Sequence, residues 1–217
     1  ELKLRTKGSK PLIGFCGQAS GTVLDYARRS LDIGLRWVKY KSGLTPWEPP
    51  PLEPTRLRHN ILKHLSGSKV VDTNFVARTR YRAGYRAKKK DPYHPTRLDF
   101  VNNILNTDYT VCVRGMGNFS VRFYETLSLG RIPIFYDTDC LLPYHEIVEY
   151  QYYCIWISKS ERDYAAEKIQ DFHGSLTSKE FQDRQNACRE LWVRYLSLNG
   201  YFLNFNLQFP SFQENPL

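Results

Sequence analysis

Gly115, Gly117, Ser120, Arg122 and Glu125 stand close together in the stretch RGMGNFSVRFYE, and their types suit an anionic ligand that also carries hydroxyl groups. A loop with two glycines lets backbone N–H groups turn toward an anion. Ser120 is the expected N-cap of the helix that follows. On that helix Arg122 and Glu125, at i and i+3, share a face beside the loop, while Phe123, Tyr124 and Leu127 can turn inward. The planar fork of arginine grips phosphate, and a carboxylate accepts two hydroxyl protons from a ribose. Arg114, Gly115, Gly117, Asn118, Ser120, Arg122 and Glu125 therefore read as a donor site for a nucleotide sugar. The loop has Ser at position 120 where GxGxxG has its third glycine, and no Gly-Lys-Ser/Thr follows. The plain alternatives are a tight strand-to-helix turn and a solvated i,i+3 ion pair.

These residues need a scaffold, and the surrounding pattern supplies one. Tyr109 to Val113 is a short apolar run that ends at the loop, and Gly130 stops the helix before a second run, Ile132 to Tyr136. Similar runs at Leu12 to Cys16, Val70 to Val76 and Tyr153 to Ile157 alternate with helical patterns. The alternation predicts an α/β class: a Rossmann-like, mostly parallel sheet with helices on both faces. Val23, Ala27, Leu31, Leu35 and Val38 keep helical spacing, as do Leu57, Ile61, Leu62 and Leu65, and the Pro-rich TPWEPPPLEP between them reads as a surface loop. Ser158 with Glu161 and Thr177 with Glu180 have capping-box spacing and open two amphipathic helices, the second burying Phe181, Cys188, Leu191, Trp192 and Tyr195. At 217 residues and 41% hydrophobic content the chain can bury one sizeable core, so residues 1–217 are expected to form a single domain.

Other residues offer competing chemistry. Asp137-Thr138-Asp139 after a predicted buried strand is the DxD that a GT-A glycosyltransferase uses to hold Mn²⁺. Hydrogen bonds to donor hydroxyls, or a loop cap, are its other readings. From Arg78 to Arg97, arginines and lysines including Lys88, Lys89 and Lys90 are interleaved with Tyr81, Tyr85 and Tyr93. Such a tract suits a nucleic acid or polyanion, a loop over a diphosphate, anionic lipid or a solvated surface, and no RNA-binding motif accompanies it. Arg28 and Arg29 follow the first strand and could reach a phosphate or face solvent. Net charge of +9 suits the same anionic partners: phosphate ligands, a peripheral contact with an anionic membrane, or nucleic acid without sequence preference. Histidines 59, 64, 94, 145 and 173 show neither metal nor triad spacing, although His94 and His145 fall in loops near the proposed site. Five cysteines, an odd number without CxxC, read as reduced core thiols, for which the cytoplasm is the simplest compartment. No metal or resident cofactor is expected.

The stretch RGMGNFSVRFYETLSLGRIPIF with LLPY resembles the exostosin-like glycosyltransferases (family 47 and its relatives). There, a Gly-containing loop precedes an Arg-x-x-Glu helix, a Gly-x-Ile-Pro strand and a Leu-Pro segment. A weaker resemblance extends from KPLIGFCG to the last helix. It implies a GT-B architecture of two Rossmann-like domains, of which this sequence matches the C-terminal, donor-binding one, with the N-terminal acceptor domain absent. It implies a UDP- or GDP-sugar as co-substrate, a glycan acceptor, inverting transfer without a metal, and contact of Arg122 with diphosphate or sugar and of Glu125 with ribose. Asp137 and Asp139 fall where the family has acidic residues next to the donor. The catalytic base is implied to lie in the other domain, and none is assigned here. The apolar tail YFLNFNLQF is implied to meet that domain. The alternative compartment is the Golgi lumen, if a eukaryotic anchor precedes this sequence.

Overall fold

The computed structural model describes residues 2–19, 23–49, 54–79, 94–115 and 117–208. Its centre is a five-stranded sheet of order β2-β1-β3-β4-β5, parallel throughout. The strands are β1 (Leu12–Gln18), β2 (Asp72–Arg78), β3 (Tyr109–Cys112), β4 (Ile132–Tyr136) and β5 (Ile155–Ile157). The helices are α1 (Val23–Lys41), α2 (Pro54–Gly67), α3 (Pro95–Leu105), α4 (Val121–Ser128), α5 (Tyr150–Tyr153), α6 (Ala165–Ser175), α7 (Ser178–Leu191), α8 (Leu198–Leu203) and α9 (Phe205–Gln208). The fold is α/β and Rossmann-like, as the alternating pattern predicts.

Burial explains the strands. β3 and β4 are covered at every residue, which is why YTVC and IPIFY read as unbroken apolar runs. β2 is an edge strand with exposed positions, so its run is weaker, and it starts two residues later than its apolar residues suggest. Tyr153 belongs to α5 and not to the strand that follows. Successive residues on β3 serve opposite faces. Tyr109 packs edge-on against Phe172 and His173 of α6 and Phe181 of α7. Cys112 lies 3.7 Å from Thr126 of α4. Phe135 next to it in the sheet meets Phe123 of α4. Helices thus cover both faces. Gly130 ends α4 with φ +60°, a conformation that side chains resist, and the chain re-enters the sheet at once.

Both capping boxes are present, Ser158 with Glu161 and Thr177 with Glu180, the first opening a 3₁₀ turn (Lys159–Tyr164) that runs into α6. Phe181, Cys188 and Leu191 are buried and Trp192 and Tyr195 packed against the core, but the helix loosens into a π turn over Trp192–Leu196. All five cysteines are free, and four are fully buried. In the tail Tyr201 sets its ring on Tyr144 and its carbonyl accepts from the Tyr144 hydroxyl at 2.8 Å, while Asn204 donates to the Arg194 carbonyl at 2.9 Å.

The amino edge of the sheet is closed by polar groups that bond one another and the backbone, with the Arg131 Nε left unbonded. Arg131, 1% exposed, donates to the carbonyls of Lys3, Leu105, Leu129 and Gly130 and to Gln185 Oε1. Gln185 in turn holds the backbone of Arg5 from both sides, and Arg5 pairs with buried Asp108 at 2.6 Å. His173 completes the edge: Nε2–H donates to the Gly8 carbonyl at 2.9 Å, leaving Nδ1 to accept from the Tyr109 hydroxyl at 2.8 Å.

Burial, with nearby Lys7 acting in the same direction, pulls the His173 pKa below its ordinary 6.5, because the fold holds the neutral ring. Below that pH the unfolded chain binds more protons than the folded one, so the contribution is complete above about pH 6.5 and is lost as pH falls toward the depressed value. Urea unfolding at pH 7.5 and 5.5 should show lower stability at the acidic pH, and His173→Gln should remove a measurable part of that difference. An identical pH response in both proteins would mean that His173 does not set it.

Candidate functional site

The strand order reverses between β1 and β3, so the crossovers leave in opposite directions and open a crevice beyond the carboxyl ends of these two strands. The residues that gather there are largely arginines. Arg58, on α2, donates to the Gln18 carbonyl at 3.2 Å and to the Arg114 carbonyl at 2.7 Å, tying the ends of β1 and β3 together. Arg122, on α4, donates to the Cys16 carbonyl at 2.8 Å with its guanidinium 4.2 Å from the centre of the Phe15 ring. Arg162, after β5, donates to the Asp137 carbonyl at the end of β4 at 2.9 Å. A Cβ at Gly17 would lie 2.4 Å from the Arg122 Nη2, so only glycine admits that guanidinium against the strand.

Arg114 stands apart from these. It stands two residues beyond β3 and is 7% exposed; its Nε is enclosed without a partner, as are those of Arg58, Arg122 and Arg162. Among the described residues no hydrogen bond or ion pair involves its guanidinium. Burial pulls its pKa below the ordinary arginine value, and half-buried Cys140 is the ionisable neighbour that opposes this. The contrast with Arg131 is direct: two buried arginines in one fold, one given five acceptors and the other none. Its Nη groups are not among the enclosed atoms, so they keep access to solvent, and an anion arriving there would meet donors that no protein acceptor has taken.

The sequence-derived site divides accordingly. Arg114, Gly115, Ser120 and Arg122 meet at the carboxyl edge, with Gly115 N–H on the Phe119 carbonyl at 2.9 Å and the space a Cβ would take at Gly115 facing Arg58. Arg122 does not lie on the outer face as its spacing suggests. It turns inward onto Phe15, and burial lowers its pKa while Cys112, Glu125 and Cys16 oppose. Glu125 is half-buried one turn further on and electrostatically coupled to it. Ser120 occupies the N-cap position of α4, but its hydroxyl makes no capping bond. Neither Gly115 nor Gly117 has positive φ, so a left-handed backbone is not what calls for glycine at these two positions. Size matters at Gly117, where a Cβ would meet the Phe119 ring at 2.6 Å.

Asn118 clasps the loop after β4: its amide donates to the Asp139 carbonyl at 3.0 Å and its oxygen accepts from Thr138 at 2.9 Å. Asp137 Oδ1 accepts from the Asp139 N–H at 2.9 Å, closing a turn in which Asp139 has φ +58°. Asp137 is thus engaged as a loop cap, and among the described residues no group of three or more His, Cys, Asp or Glu could hold a metal ion. Arg28 is not gathered with the others but lies exposed on α1. The side chain of Arg29 and residues 80–93, the heart of the basic tract, lie outside the described residues. Arg78, which opens that tract, pairs with Asp99 at 2.8 Å. His94 caps α3, its Nδ1 accepting from the Thr96 N–H. His145 stays exposed in its loop. Arg58 and Arg162 were not legible as site residues, for nothing in the spacing of a surface helix marks which cation will reach a strand end. An open concavity of about 740 Å³ beside Lys63, His64 and Lys69 touches none of these edge groups.

Fold and edge together define a doubly wound α/β domain with a cationic crevice at its topological switch point. No protein-family model matches the chain, and no curated protein matches it.

The two kinds of arginine should separate in stability measurements. Arg58→Met removes bonds to two strand ends and should cost about 2 kcal/mol. Arg114→Met replaces a guanidinium that has no protein acceptor by an apolar chain and should be neutral or stabilising, by up to about 2 kcal/mol. Chemical denaturation of both variants checks this, and a large loss at Arg114 would mean that its guanidinium is structural.

Proposed function

We propose that this chain is the donor-binding domain of a GT-B glycosyltransferase of the exostosin-like kind, transferring a sugar from a UDP- or GDP-sugar to a glycan acceptor with inversion and without a metal. The observation that carries the reading is the guanidinium of Arg114 at the β1/β3 crevice, whose Nη groups are not enclosed and are engaged by no protein acceptor, beside an α4 N-terminus whose Ser120 hydroxyl leaves it uncapped. A diphosphate would satisfy both at once, because oxygen anions match the arginine fork and the positive end of a helix. Arg122, whose Nε is enclosed and unbonded like that of Arg114, is placed to add a second cation, and Glu125 one turn on supplies the acceptor for a ribose.

In the transfer step charge develops on the departing diphosphate, and fixed cations in a partly dry crevice favour that charge more than they favour the bound ground state. With arginines doing this, Asp137 is left to its turn. Deprotonation of the acceptor hydroxyl falls to a base outside this set, in a second domain that closes the cleft.

Calorimetry with a panel of nucleoside diphosphates tests site and donor together. One nucleotide should bind, and Arg114→Met and Glu125→Ala should each weaken it by about 1.5–3 kcal/mol. Unchanged affinity in both variants, or no binding by any nucleotide, would sink the proposal. EDTA should leave binding intact. A strict Mn²⁺ requirement that disappears in Asp137→Asn/Asp139→Asn would instead favour the metal-dependent GT-A reading.

A further inference from the structure

Helix α1 carries its apolar stripe on the outside. Leu24, Leu31, Leu35 and Val38 recur at helical spacing and are between 63 and 84% exposed. The half-buried residues Ile33, Trp37 and Tyr40 lie on the opposite side, where Trp37 and Tyr40 meet edge-on with centroids 5.8 Å apart, and no described side chain of α1 joins the hydrophobic core. The helix ends at Gly43, φ +76°, with Gly43 N–H on the Tyr40 carbonyl at 3.1 Å and Leu44 N–H on the Lys39 carbonyl at 2.9 Å. This paired closure turns the chain sharply. Beyond it Leu44 and Trp47 are 78% and 80% exposed.

Charge distinguishes what could cover such a stripe. α1 contains Arg28, Arg29, Arg36, Lys39 and Lys41 against Asp25 and Asp32, and Asp32 is engaged by Arg36 at 3.0 Å. Arg28 and Lys39 flank the stripe on one side and Lys41 on the other. A protein groove would take the leucines but gives no reason for an excess of cations beside them. A bilayer surface with anionic headgroups takes both, with acyl carbons against the stripe and phosphate and carboxylate groups against the cations. Trp47 is suited to the headgroup level. None of the described helices is long and apolar enough to cross a membrane, so the contact is one of lying on the surface.

We infer that α1 and the turn through Trp47 form a peripheral anchor for an anionic lipid surface. The inference is independent of the nucleotide reading. Co-sedimentation of the purified chain with phosphatidylcholine vesicles, and with vesicles containing about a third phosphatidylserine, tests it. Binding should be several-fold stronger to the anionic vesicles and should fall at about 0.5 M NaCl. Leu31→Gln/Leu35→Gln should reduce it about tenfold with the circular dichroism unchanged, and Lys39→Gln/Lys41→Gln should abolish the preference for phosphatidylserine. Absence of binding at millimolar lipid would overturn the inference, as would full binding by the leucine variant. Light scattering that shows a dimer, dissolved by the leucine variant, without vesicle binding would assign the stripe to a second copy of the chain instead.

Discussion

Strands that all run the same way also end on the same edge, where their last carbonyls point past the ladder and must find donors elsewhere. Here guanidinium groups supply many of them: Arg58 for the ends of β1 and β3, Arg122 for β1, Arg162 for β4. Carbonyls are neutral acceptors, so these bonds satisfy geometry without themselves neutralising the positive charge. The edge that the fold must cap thus becomes an edge that attracts anions. The topological switch between β1 and β3 provides the opening through which an anion could arrive.

The amino edge shows the same chemistry carried to completion. Arg131, Gln185, Asp108 and His173 bind one another or the extended N-terminal segment, and that segment is held along its length by them. A buried polar network of this kind is favourable when nearly every member is paired, and it locks the ends of β3 and β4 against α6 and α7. Against that background Arg114 differs in its Nη groups, which take no protein acceptor and stay open at the crevice.

Arginine thus serves three ends in one domain, and their environments tell them apart. Arg131 donates to five acceptors, Arg58 and Arg122 hold strand ends, and Arg28 is surface charge beside an apolar stripe. The proposals of a diphosphate at the crevice and of lipid at α1 rest on separate groups of these cations, and either can fail without the other.

By itself the sequence determined the class and the order of elements. Unbroken apolar runs such as YTVC and IPIFY arise only where a strand is covered on both faces. The two capping boxes, and Gly130 as a helix stop, follow from local bonding that a few neighbouring residues complete among themselves. The residues around the glycine loop were also legible as a candidate site, because type and spacing are local facts. What tertiary structure alone decided is the direction and saturation of long side chains. Arg122 shares a helical face with Glu125 by spacing, yet it turns inward because Gly17, far away in the chain, leaves room against Phe15. Arg131 and Arg114 look alike in the sequence, each beside a buried strand. Only the packing of segments distant in sequence gives one of them five acceptors and the other none, since a hydrogen bond depends on where atoms end up in space and not on how many residues separate them.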